Sequence, residues 1–149
     1  VARQLELPSK DKDLLIDARG NPSTSKASSN TNVTGNYRSS EGVTGLAVWG
    51  TRAKWMDLYG SIGNEKISLV ICDHPKNQSY PTYWHARGYG LFSANPLGAK
   101  NFTNGKEELN FSIPAGKSTT FRYRVIVHSG DYLTDAEINA YADDFAKNH

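Results

Sequence analysis

The sequence has a single cysteine, Cys72, so no internal disulfide framework can hold the chain together, and its apolar neighbours point to a buried thiol. No apolar run approaches the roughly 20 residues a helix needs to cross a bilayer, and the chain is expected to be soluble, with no membrane span. The start at Val1 shows no charged stretch followed by an apolar one, so no export signal is read there. Charge of one sign is scarce too: the formal net charge is +2, and the Lys and Arg are scattered. That excludes the dense basic footprint of a nucleic-acid binder. A Gly-rich phosphate loop, a Gly-x-Ser-x-Gly elbow and a His-Glu-x-x-His helix are all missing, and the reaction classes built on them lose support.

What remains is a chain of 149 residues, enough for one domain, with 13 glycines, 8 tyrosines and 5 phenylalanines. This composition favours strands and turns over helices. Residues 1–149 are read as a single domain. Two short strands are expected near the start, at Gln4 to Leu7 and Leu14 to Ile16, on either side of Pro8 and a charged turn. Residues 20–40, rich in Asn, Ser, Thr and Gly, read as a long polar loop. The triplets that open at Asn32, Asn77, Asn101 and Asn110 match glycosylation sequons, which are common by chance.

From Gly42 onward, β-favouring runs follow one another: Val43 to Trp49, Trp55 to Ile62, Ile67 to Cys72, Tyr83 to Phe92, Glu108 to Ile113 and Thr119 to His128. Gly63-Asn64 is a two-residue hairpin signal, and residues 114–117 a further turn. In the last run Phe121, Tyr123, Val125 and Val127 alternate with Arg122, Arg124, Ile126 and His128, and the first set is expected to face the core. The C-terminus reads as a helix. Thr134 and Glu137 form a capping box, Leu133 and Ile138 a hydrophobic staple, and Ile138, Tyr141, Ala142 and Phe145 a sealing stripe. The expected fold is all-β, an antiparallel β-sandwich, with a supersandwich-like form as its variant, and a short C-terminal α-helix.

Candidate chemistry concentrates in residues 72–89, where Asp73, His74, His85 and Arg87 sit among large aromatics. Histidines near an aspartate suit general acid–base work, because imidazole titrates near neutrality and a carboxylate fixes its tautomer. The same residues could hold a metal, although His74 and His85 match no compact ligand spacing. His74 could instead hold the turn before Pro75, and Asp73 could close it. His85 and Arg87 share a strand face by the period of two, while Trp84 and Ala86 turn away. Trp49, Trp55, Tyr80, Tyr83, Trp84 and Tyr89 offer stacking platforms for sugar rings, though most buried aromatics serve the core. Arg52, Arg87, Arg122 and Arg124 have forks that suit hydroxyls or carboxylates, or they are ordinary surface arginines.

The stretches 48–60, 73–77, 80–87 and 89–98, with 121–130 before the closing helix, resemble the PmoA-like family of exported bacterial domains, labelled "methane oxygenase". Residues from about Arg38 to the end carry the resemblance. It implies that the chain is the C-terminal half of a longer domain whose N-terminal half is a partner. It also implies a carbohydrate role, because such domains tend to be encoded beside sugar-degrading enzymes. The methane label fits poorly, since a membrane-embedded oxygenase subunit needs spans that this chain lacks.

The expected function is a carbohydrate-active β-sandwich protein of an exported bacterial sugar-utilisation system, periplasmic or extracellular, which in its enzymatic form is a glycoside-cleaving hydrolase or lyase. Its candidate catalytic residues are His74, His85 and Asp73. Saccharide contacts are assigned to Arg52, Trp55, Tyr83, Trp84, Arg87, Tyr89, Asn95, Arg122 and Arg124, with no cofactor and no metal. A glycosidase normally needs two carboxyl groups, and only Asp57 and Asp73 lie near the aromatic motifs. The alternatives are a non-catalytic carbohydrate-binding module and a metal-dependent oxidoreductase using His74, His85, His128 and Asp73.

Overall fold

Alternating side chains and a two-residue turn organise the middle of the chain. In the computed structural model, which describes residues 2–8, 14–16, 22–26 and 32–148, Trp55–Ile62 (β4) and Glu65–Asp73 (β5) form an antiparallel hairpin. Ile62 pairs with Glu65 across Gly63-Asn64. Gly63 has φ +62°, a conformation that favours glycine. Asn36–Ser39 (β3) pairs with β4 on one side, and Tyr123–Gly130 (β8) with β5 on the other, giving a four-stranded antiparallel sheet of order β3-β4-β5-β8. Leu14–Ile16 (β1) and Pro22–Lys26 (β2) form one two-stranded ladder, and Trp84–Ala86 (β6) and Phe92–Ala94 (β7) another. The fold is all-β, antiparallel and sandwich-like, with a C-terminal helix.

The two faces of the main sheet are covered by different elements. On one, Tyr37, Met56 and Leu58 pack against Trp84 and Ala86 of β6, with Leu5 and Leu7 from the N-terminal segment closing the cluster. On the other, Trp55, Val70 and Cys72 pack against Leu133 and against Ile138 and Phe145 of the C-terminal helix, Asp135–Asn148 (α2). Burial pushes the Cys72 thiol up to about 11, so it packs as an inert core side chain.

The helix forms as its sequence dictates. The Thr134 N–H donates to Glu137 Oε2 at 2.7 Å, and the Glu137 N–H donates back to Thr134 Oγ1 at 3.3 Å. Leu133 and Ile138 are both buried in the same cluster.

Several expectations differ. Gln4 to Leu7 is not a strand; a 3-10 turn occupies Arg3–Leu5. The polar stretch 20–40 contains β2 and β3, while residues 17–21 and 27–31 lie outside the described residues. Val43 to Trp49 is a 3-10 turn at Gly45–Val48 with only an isolated bridge at Thr44. Tyr83 to Phe92 splits into β6 and β7 around a turn, where the Arg87 N–H donates to the Leu91 carbonyl. Residues 108–113 carry no strand, and a four-residue helix, Ala99–Phe102 (α1), precedes them.

The faces of β8 are reversed relative to the alternation. Val125 and Val127 are 59% and 73% exposed, whereas Ile126 packs under α2. The cause is tertiary: α2 covers the Arg124 and Ile126 side, while the β6–β7 ladder packs on β3 and β4 and stops short of β8.

Candidate functional site

The segment after β5 begins with a clamp. Asp73 Oδ1 accepts the His74 N–H at 2.9 Å and the Asn77 side-chain amide at 2.7 Å, and Oδ2 accepts the Thr82 N–H at 2.8 Å. Asn77 then fixes the start of β8: its Oδ1 accepts the Arg122 N–H at 2.7 Å, and its amide donates to the Arg122 carbonyl at 2.5 Å. One buried carboxylate thus ties together both ends of the 74–82 loop. Burial raises the Asp73 pKa, against the bonds from Asn77, His74 and Thr82 that favour its ionised form.

His74 belongs to the same clamp. It is fully buried, Nδ1 accepts the Lys76 N–H at 3.0 Å, and the ring meets Phe145 edge-on at 4.9 Å. Burial, then the charges of Lys76 and Arg122, lower its pKa, against the Phe145 backbone and Asp73. The expected pairing of His74 with His85 is therefore absent from the described contacts. His74 packs on α2, whereas His85 packs on Phe102 of α1.

A second group of residues does converge. The segment 50–53 runs beside 82–84: the Gly50 N–H donates to the Trp84 carbonyl, the Trp84 N–H to Thr51 and the Ala53 N–H to Thr82. Arg52 and Tyr83 face each other in an antiparallel bridge. Alternation then sets Tyr83, His85 and Arg87 on the side opposite Trp84 and Ala86, with Tyr83 buried and His85 and Arg87 partly exposed.

Phe102 is the hub of this outer face. Tyr83 stacks on it at 5.4 Å, Trp49 meets it edge-on at 5.4 Å, and His85 edge-on at 5.7 Å. Gly98 permits this arrangement, because a Cβ there would meet the Phe102 ring at 2.4 Å and the Asn95 amide nitrogen at 2.8 Å.

The two arginines of this face differ in engagement. Arg52 lies 5.1 Å over the Tyr83 ring, donates from Nε to the Pro81 carbonyl at 2.9 Å and pairs with Glu107 at 3.7 Å. Glu107 also accepts the Tyr83 hydroxyl at 2.8 Å. Arg87 lies closer over an indole, 4.3 Å from the Trp49 ring centre, and among the described residues its guanidinium has no hydrogen-bond or carboxylate partner. Burial lowers its pKa, yet an arginine so placed stays charged at neutral pH. Burial and the Arg87 charge lower the His85 pKa, so the imidazole is neutral at pH 7. The Trp49 indole N–H is buried without an acceptor. Three polar groups on one aromatic floor thus hold unused hydrogen-bonding capacity.

The other expected contacts are dispersed. Trp55 is buried, with its indole N–H on Asn139 at 2.8 Å, and Trp84 is buried with its N–H on the Ala53 carbonyl at 3.0 Å. Neither ring presents a face to a ligand. Arg124 pairs with Asp144 at 2.7 Å, donates to the Tyr141 carbonyl and lies over Phe145, fastening α2 to β8. Arg122 is held through its backbone by Asn77, away from the face of His85. Asn95 lies beside Gly98, and its N–H donates to the Tyr83 carbonyl. Tyr89 is exposed at the turn after Arg87.

Asp57, the other carboxylate near the motifs, is fully buried on β4 and bonded to Arg38 of the neighbouring β3 at 2.9 Å. Burial outweighs Arg38 and the Ser68 hydroxyl and raises its pKa to about 6. Asp57 and Asp73 are each committed to the fold. No group of three His, Cys, Asp or Glu among the described residues is placed to share a metal. The set His74, His85, His128 and Asp73 does not assemble. No helix among the described residues is long and apolar enough to cross a membrane.

One family model matches residues 4–143, nearly the whole chain. The chain belongs to DUF6807, a family of unknown function. This corrects the resemblance to the PmoA-like family: the matching family is DUF6807, and nothing in the comparisons points to a PmoA-like one. The expectations that rested on that resemblance, including an absent N-terminal half and the oxygenase label, lose that support. No curated protein and no solved structure matches this DUF6807 chain.

Proposed function

We propose that this DUF6807 domain binds saccharide on the face formed by Trp49, His85, Arg87 and Phe102, with Tyr83 buried beneath it. The observation that carries the reading is the half-buried, unpaired Arg87 guanidinium on Trp49, beside a neutral His85. Sugar recognition combines apolar ring faces with a few fixed polar groups at the rim, and this face supplies both. Exposed Leu46 and Tyr89, in the flanking segments, extend its apolar surroundings.

Binding without cleavage is the better-supported form. Hydrolysis would need two carboxyl groups with free oxygens. At this face there is Glu107, already engaged with Arg52 and Tyr83, while Asp73 and His74 are bound up in the loop clamp. A cleaving form would rest on His85 as a base, favoured by its lowered pKa.

The test is a thermal-shift screen of the chain against oligosaccharides, because a ligand that binds only the native state raises its apparent stability. A shift abolished in Trp49→Ala and Phe102→Ala, and kept in Tyr141→Ala on the exposed side of α2, supports the reading. The absence of a shift with every saccharide contradicts it.

A further inference from the structure

We infer that the saccharide carries a carboxylate, a uronate-type sugar, and that Arg87 is the residue that reads it. The inference rests on the saccharide-binding reading of this face and names the substrate class. A guanidinium that is half-buried and lacks a counter-charge has lost hydration without gaining a partner. The Trp49 ring offsets that loss only in part, since a cation–π contact contributes about 0.5–2 kcal/mol. The rest is available to an arriving anion.

The charges of the face agree with this. Arg52 is matched by Glu107, and His85 is neutral, so Arg87 is the one uncompensated charge of this face among the described residues. A single planar fork matches the geometry of a carboxylate, and its one positive charge balances the one negative charge that a uronate carries. The neighbouring His85 adds a group that can donate to or accept from a hydroxyl next to the carboxylate. The aromatic floor supplies the contact for the sugar ring itself.

The experiment is isothermal titration of the chain with oligogalacturonate, oligoglucuronate and oligomannuronate, each beside its methyl ester and beside a sulfated neutral oligosaccharide. The ester keeps the ring and the linkage and removes the charge. At least one acid form should bind ten-fold or more tightly than its ester. In Arg87→Met, which keeps an apolar stem on Trp49, that preference should vanish while unfolding stays cooperative. Arg87→Lys should restore only part of it, because the charge returns without the fork. Equal binding of acid and ester, a preference for the sulfated sugar, or a preference untouched by Arg87→Met would overturn the carboxylate inference and leave saccharide binding standing. Binding of none of these sugars, charged or neutral, would overturn both.

Discussion

The Arg87 guanidinium lies 4.3 Å from the centre of the Trp49 ring, with no carboxylate partner among the described residues. Three other arginines are spent on the fold. Arg38 holds Asp57, Asp135 and the Leu133 carbonyl, Arg52 holds the 79–81 carbonyls, and Arg124 holds α2. Arg87 and its neighbour His85 are therefore the groups whose removal should separate binding from stability.

His85→Ala should weaken saccharide binding several-fold while changing stability by about 1 kcal/mol or less, since it removes a half-exposed ring. His74→Ala should do the reverse. It empties a fully buried site against Phe145 and unties the Lys76 N–H, a loss of about 2–4 kcal/mol, with binding by the folded fraction unchanged. Denaturant unfolding and calorimetric titration of the two variants check the split.

Asp73→Ala should cost about 3 kcal/mol, because it leaves the Thr82 N–H and the Asn77 amide without their acceptor in a buried site. Hydrogen exchange should then rise across residues 74–82 and at the start of β8, the two segments that the clamp joins.

The Asp57 carboxyl carries a pH signature. Its folded pKa, about 6, lies above the unfolded value, so its contribution to stability is present below about pH 4 and is lost as the pH rises through 6. His74 and His85, with folded pKa values below 6.5, act in the opposite sense, contributing less stability as the pH falls below that value. The difference between the wild type and Asp57→Asn isolates the carboxyl. Measured by urea unfolding, the wild type should lose stability relative to the variant between pH 4 and 6, and a flat difference would contradict the buried carboxyl.

Arg124→Ala should loosen α2 by removing its bonds to Asp144 and the Tyr141 carbonyl and its contact with Phe145. A loss of about 1–2 kcal/mol with faster hydrogen exchange confined to residues 135–148 is expected.

The parts of the fold legible in the sequence were those governed by local chemistry. Gly63-Asn64 specifies its hairpin through backbone conformation, and Thr134 with Glu137 specifies the start of α2 through reciprocal hydrogen bonds. The faces of β8 were not legible, because Val125 and Ile126 differ little in hydrophobicity, and which one is buried depends on where α2 and the β6–β7 ladder land. At the site, the period of two placed His85 and Arg87 on one face. It carried no information on Phe102 or Glu107, which reach that face through α1 and the segment after it. Trp49 was visible as a stacking candidate, but its partnership with Arg87 joins residues 38 positions apart. Asp73 and His74 were conspicuous by type, and only their bonds reveal that they close a loop.

The chain has three tryptophans, and each indole N–H gives its own NMR cross-peak. Titration of isotope-labelled protein with the acidic and neutral oligosaccharides tests the proposed face directly. The Trp49 indole peak should move together with the backbone amides of His85 and Arg87, while the Trp55 and Trp84 indoles, tied to Asn139 and Ala53, stay in place. Movement centred on Trp55 or Trp84, or no movement at Trp49 with any saccharide, would contradict the account.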